Sequence, residues 1–276
     1  KFVLQKEGIN VKNGYRITDS HAHIFPDQNC RESDKWYLRI YHLPMEYHGR
    51  VSEMLENGRA AGVDRFLICS PATTVTQVHS INAFLASCEA AYPMCTAFGT
   101  LHPASENLEE DFEQLQKLHL HGVKLHPDFQ RFPIDDPAAY PMYDMIQSAG
   151  LPILMHMGDA RSDLPIHAIG SDSPTIPTAP HHAAHLAAGA RKESREILNA
   201  DERIRFDTSS SLPFLSVEES VDLIHHFGAE NCFFGVDYPM WSYPEELERF
   251  FALQLSDLEN RGILSENLEQ WLGLHV

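Results

Sequence analysis

Short apolar runs alternate with amphipathic stretches along almost all of this chain, and that alternation restricts its fold sharply. The strand candidates are Tyr15–Ile24, Asp64–Ser70, Met94–Leu101, Gly122–His126, Pro152–His156, Arg203–Thr208 and Asn231–Asp237. Helical patterns fill the intervals at Arg50–Ala61, Val75–Ala91, Ser105–His119, Ala138–Ala149, Val217–Phe227 and Pro244–Leu258. Gly or Pro stands at several joins, among them Gly62, Gly150, Pro152 and Gly228. Strands joined through helices of this length pair in parallel. The pattern predicts an α/β fold, a (β/α)8 TIM barrel, as a single domain over residues 1–276. A chain of 276 residues that is 43% hydrophobic can fill one core of that size. A doubly wound open sheet is the rival, but no Gly-rich phosphate loop follows the first strand.

One region breaks the pattern. Asp159–Ala184 carries Pro165, Pro174, Pro177 and Pro180 among scattered Ser, Asp and Gly. The sixth strand is expected near its end, around His181–Leu186. The remainder reads as a lid over the C-terminal face of the barrel or as a locally unusual repeat. Asp27–His48, with Trp36, Tyr37, Tyr41 and Tyr47, reads as an excursion after the first strand. Its rings either line a pocket or pack over the barrel mouth.

In a barrel the side chains at the C-terminal strand ends face the active site. The first strand ends in Thr18-Asp19-Ser20-His21-Ala22-His23. Residues two apart share a face, so His21 and His23 aim two imidazoles at one point, with Asp19 expected behind them. Lys124 and His126 share a face at the end of the fourth strand. The fifth ends at His156, the sixth element carries His181, His182 and His185, the seventh ends at Asp207 and the eighth at Asp237. Three histidines and a carboxylate suit Zn²⁺ or a similar divalent ion, with a position left for water. Asp237 and His185 are the candidates for taking a proton. His102 and His126 read as outer contacts of the site or as structural residues. Asp207 reads as a structural hydrogen-bonding residue or a contact of the site, and Arg161 as a cation for a substrate carboxylate.

Taken in order, T-D-S-H-A-H-I-F-P, G-V-K-L-H-P, L-P-I-L-M-H-M-G-D, A-A-H-L, R-F-D-T-S and F-F-G-V-D-Y-P resemble the amidohydrolase superfamily. The match is to its branch of metal-dependent hydrolases that includes the aminocarboxymuconate-semialdehyde decarboxylase-like enzymes. It runs from about Ile17 to Leu268–Leu274. The resemblance implies a (β/α)8 barrel with one or two divalent metals. Residue by residue, it implies His21, His23, His156 and Asp237 as ligands, with Asp237 also accepting a proton. It implies His185 as the histidine that orients or deprotonates water or substrate. Lys124 matches a lysine that some binuclear branches carboxylate to bridge two metals. The expectation here is one metal, zinc ahead of manganese, iron or nickel, with a second left open. Lys124 is then unmodified and faces substrate with His126 and Arg161.

Two departures bear on the sixth strand. Only 29 positions separate His156 from His185, and Ala187 stands where a glycine is usual. His181 and His182 therefore stay open as alternatives to His185. The activity expected is hydrolysis of a C–N or C–O bond in a small molecule. The alternatives are non-oxidative decarboxylation of an aromatic or muconate-like acid, or a barrel without turnover.

The net charge of −18 sets the chain against phosphate backbones, so nucleic acid is not an expected partner. No stretch reads as a signal peptide or a membrane span. Cys30, Cys69, Cys88, Cys95 and Cys232 form no C-x-x-C pair. Cys69, Cys95 and Cys232, in apolar runs, read as buried reduced thiols, and a cytoplasmic location is expected. Homodimerisation is an expectation by analogy alone.

Overall fold

The computed structural model describes residues 14–30, 35, 38–39, 42–157, 181–186 and 203–274. Asp159, Arg161, Trp36, Tyr37 and Tyr41 lie outside the described residues, as does most of the expected lid. The chain is a (β/α)8 barrel. Its strands are β1 (Thr18–His23), β2 (Arg65–Cys69), β3 in two pieces (Cys95–Ala97 and Gly99–Thr100), β4 (Val123–Leu125), β5 (Ile153–His156), β6 (His181–Ala184), β7 (Ile204–Asp207) and β8 (Cys232–Phe233). Every strand pairs in parallel with the next, as alternating strands and helices require. The ring closes where Ser20 N donates to Phe234 O at 2.9 Å, Asp237 N to His21 O at 2.8 Å and His23 N to Tyr238 O at 2.7 Å.

Strand alternation divides the apolar residues between two cores. Phe66, Ile68, Val123, Leu125, Ile153 and Met155 face outward into the large core beneath the helices. Leu67, Cys69, Leu154 and Phe233 point inward, joined by Phe98 and Ala184. Leu268, on the last helix at Asn267–Trp271, packs into this inner group and stops one end of the barrel. Gly122 precedes β4 because the Phe98 ring lies where its side chain would be; a Cβ there would stand 2.5 Å from Phe98 Cε2.

The helices that flank the site are α1 (Val51–Ala61), α2 (Val78–Ala91), α3 (Leu108–Lys117), the single turn α4 (Pro127–Gln130), α5 (Tyr140–Ser148), α6 (Val217–Phe227) and α7 (Tyr243–Ala252). The pattern at Pro244–Leu258 is not one helix. Gln254 adopts φ 53, and Ser256 then caps a new helix at Asp257–Arg261 through a reciprocal pair with Glu259. The strand expected near His181 forms despite its Pro-His-His-Ala-Ala sequence. Ladders on both sides, to β5 and β7, outweigh its weak β propensity.

No helix among the described residues is long and apolar enough to cross a membrane. All five cysteines are free and buried.

Candidate active site

The expected place for Asp19, behind the imidazoles, is not where it lies. The β1–β2 register is irregular between Asp19 and Ala22, which breaks the simple alternation. Asp19 Oδ1 instead accepts from His21 N and Val236 N, both at 3.0 Å, and Oδ2 accepts from Tyr243 Oη at 3.1 Å. Its carboxylate supplies acceptors where the ladder is interrupted and ties β1 to β8.

Asp207 takes the place behind His21. Its Oδ2 lies 3.1 Å from His21 Nδ1, with Ser209 Oγ 3.0 Å from the same nitrogen. A carboxylate accepts only, so Nδ1 carries the proton and Nε2 keeps its lone pair. That Nε2 lies 3.1 Å from His23 Nε2, 3.1 Å from Lys124 Nζ and 3.7 Å from Asp237 Oδ1. His23 Nε2 is 3.6 Å from the same oxygen. Donors bound about 2.1 Å from one ion stand about 3.0–3.4 Å from one another. His21, His23 and Asp237 are therefore spaced closely enough for a divalent ion to draw them together.

His156 belongs to an adjoining group. Its Nδ1 is 3.1 Å from His185 Nε2, and its ring stacks on His126 with centroids 3.8 Å apart. His185 Nδ1 lies 2.9 Å from the Ser209 carbonyl, so that nitrogen carries the proton and Nε2 accepts from His156 Nδ1–H. His156 Nε2 is thereby left with a lone pair, and it is buried without a hydrogen bond, 3.3 Å from Asp128 Oδ2. A buried imidazole nitrogen with a lone pair and no hydrogen bond is suited to a cation. His21 and His185 belong to both halves of the site: their rings stack at 5.3 Å, and Ser209 Oγ reaches Nδ1 of each at 3.0 Å.

Burial pushes His21 and His156 down to about 4 and holds His23 and His126 well below the ordinary histidine range. Neutral imidazoles are the form that binds a cation. Burial also lowers Lys124, against the pull of Cys69, Asp237 and Asp207. Asp237 stays well below the carboxylate range: burial opposes this, but His21, His185, His23 and the Ser210 hydroxyl outweigh it.

These shifts set a pH dependence for the metal-free fold. Between pH 6.5 and about 4 the unfolded chain takes up protons at the four imidazoles that the fold keeps neutral, so they remove stability as pH falls. Asp19 and Glu246, raised by burial to about 8 and about 7, act in the opposite sense: the fold holds their protons, and stability is lost as pH rises. Below pH 6.5 the four imidazoles outweigh the two acids. The urea-unfolding midpoint of the metal-free protein is expected to fall as pH drops from 6.5 to 5. A midpoint that climbs steadily down to pH 5 would contradict this.

The expected lysine and strand-end histidines thus converge, with Lys124 against His21 and His126 against His156. His102 serves the backbone, its Nδ1 accepting from Ala104 N at 3.2 Å. The side chains of His181 and His182 are not among those described; His185 stands in the site. Asp128 and Ser210 were not singled out by sequence reasoning. The H-P-D spacing after His126 was the available signal for Asp128; a serine in a serine run gave none. Tyr47 packs on Tyr238 with ring centroids 5.4 Å apart.

The family model described as Amidohydrolase matches residues 18–274. No curated protein sequence matches the chain. Solved structures are similar over nearly the full length. An uncharacterised TIM-barrel protein from Bordetella bronchiseptica has 19% identity and TM-score 0.77, covering 94% of this chain and 98% of that one. A protein from Pseudomonas putida named as a candidate 2-pyrone-4,6-dicarboxylic acid hydrolase has 19% identity and TM-score 0.68, covering 95% and 98%. A dihydroxybenzoic acid decarboxylase from Polaromonas sp. JS666, with bound manganese and 2-nitroresorcinol, has 13% identity and TM-score 0.66, covering 94% and 97%. At these identities the likeness is one of fold.

Proposed function

The chain belongs to the amidohydrolase family, and from that premise we propose that it is a metal-dependent enzyme that hydrolyses a C–N or C–O bond in a small, carboxylate-bearing molecule. The observation that carries this reading is the buried meeting of His21, His23 and Asp237, with His156 in the adjoining group that His185 joins to it. These residues would hold one divalent ion, zinc by the chemistry of the donors, with manganese, iron or nickel as alternatives. Such an ion supplies Lewis acidity and makes water a usable nucleophile at neutral pH.

The chain's own residues supply the rest. Asp207 and Ser209 fix the tautomer of His21. Asp237 contributes a carboxylate that stays ionised. His185, its Nδ1 committed to the Ser209 carbonyl, is the imidazole whose Nε2 takes up and returns a proton. Lys124 Nζ donates to the lone pair of His21 that a metal ligand must give up. With that lone pair given to an ion, Lys124 would be available to hold a substrate carboxylate, with His126 on the same face. Arg161 remains a proposed substrate contact by its place in the sequence.

A second reading, non-oxidative decarboxylation on the same site, is favoured by this buried lysine: a cation deep in the barrel can hold a departing carboxylate. One experiment addresses both. Protein stripped by chelation and reloaded with Zn²⁺ or Mn²⁺ is offered small amides, lactones and aromatic acids. Turnover is expected only in the reloaded protein, giving an amine or alcohol if it hydrolyses and CO₂ if it decarboxylates. Full turnover in metal-free protein would sink both readings.

A further inference from the structure

We propose that Ser210, itself held by Trp241, is a positioning residue that fixes the Asp237 carboxylate so that Oδ1 is presented to His21 and His23. The inference rests on the reading of Asp237 as a metal ligand. Trp241 Nε1–H donates to Ser210 Oγ at 2.8 Å, and Ser210 Oγ–H donates to Asp237 Oδ2 at 2.5 Å. The direction of this chain is forced. An indole N–H can only donate and an ionised carboxylate can only accept, so the hydroxyl between them has one orientation. The backbone of Asp237 is already pinned, with its N–H on His21 O at 2.8 Å and its carbonyl accepting from Met240 N at 2.8 Å. What remains free is rotation of the carboxylate, and Ser210 stops it. Oδ1 is then left 3.7 Å from His21 Nε2 and 3.6 Å from His23 Nε2.

Backbone conformation is a second, independent sign. Ser210 has φ 46 and Asp237 has φ 61, both in the left-handed region. Aspartate tolerates that region better than most residues, and serine pays a steric penalty there that glycine would not. The fold nevertheless places a serine at this position, and what its side chain adds is the hydroxyl between Trp241 and Asp237. Strained residues of this kind collect at functional sites. Trp241 is in turn buttressed by Phe214, edge to face, with ring centroids 5.6 Å apart.

The strain makes the proposal separable from a merely structural role, because Ser210→Gly relieves the backbone while deleting the hydroxyl. Zn²⁺ retention against a competing chelator is measured for the full chain, Ser210→Ala, Ser210→Gly and Trp241→Phe, together with thermal midpoints. Loss of a hydrogen bond behind a metal ligand weakens affinity by about 10- to 100-fold. Ser210→Ala and Ser210→Gly are expected to lose Zn²⁺ affinity by the same factor in that range. Trp241→Phe should shift it in the same direction. Ser210→Gly should unfold at a temperature no lower than the parent. Parent-like affinity in both serine variants overturns the proposal. So does a loss in the alanine variant that the glycine variant lacks, since backbone conformation would then be the cause. If the parent protein itself holds no Zn²⁺, the metal-site reading fails first and this inference falls with it.

Discussion

His21→Asn is expected to yield a folded protein that retains no stoichiometric divalent metal and has no measurable turnover. The substitution is selective by geometry. The asparagine side-chain amide occupies roughly the place of the imidazole Nδ1 edge, so a donor to Asp207 and Ser209 survives. What disappears is Nε2, the atom 3.1 Å from His23 Nε2 and 3.7 Å from Asp237 Oδ1. His23 and Asp237 would then stand without the donor that completes their convergence. Removing a partner behind a metal ligand already costs about 10- to 100-fold in affinity, so removing a ligand is expected to cost more than about 100-fold. Elemental analysis after gel filtration should find about one equivalent in the parent protein under the one-metal reading. The variant should hold close to none, and far-ultraviolet circular dichroism should show the barrel intact. A folded His21→Asn protein with one equivalent still bound would remove His21 from the metal site.

Much of this architecture was legible in the chain because a barrel repeats one rule. Strands whose outward residues are apolar, such as Phe66, Ile68, Ile153 and Met155, announce themselves by period and by the glycines and prolines around them. The strand-end histidines were legible for the same reason: His21, His23 and His156 each finish an apolar run. The misreadings arose where local geometry departed from the regular period. Asp19 was placed behind the histidines by counting residues, and the register irregularity before Ala22 sent it to the backbone instead. Asp207, which the sequence presents as a structural hydrogen-bonding residue or a contact of the site, is both. It proves to touch His21 directly, a contact 186 residues long in sequence that spacing cannot reveal. Gln254 interrupts an otherwise good helical pattern because its φ of 53 depends on how the chain packs onward, not on its own propensity. Ser210 shows the limit most clearly. Nothing in a run of serines says that one of them faces a carboxylate 27 positions away.

His185→Gln carries the other large expected effect, and it separates two roles that the geometry holds in one residue. Nδ1 of His185 donates to the Ser209 carbonyl, and Nε2 accepts from His156 Nδ1–H. In that arrangement His185 backs a proposed ligand. It is also the imidazole we propose as the acid–base group, because its Nδ1 holds the proton toward Ser209 and its Nε2 carries none. The two roles predict different losses. As the acid–base group, its removal should lower kcat by about 10²- to 10⁴-fold at saturating metal, with metal content unchanged. If it did no more than orient His156, metal affinity should fall by about 10- to 100-fold and kcat should recover once metal is in excess. Our reading expects the first pattern. Glutamine is the useful replacement because its amide can still hydrogen-bond toward Ser209 or His156 but cannot take up a proton at neutral pH. Measuring kcat against added Zn²⁺ for this variant decides the matter: a rate that stays low at every metal concentration supports His185 as the proton acceptor, and a rate restored by excess metal refutes it.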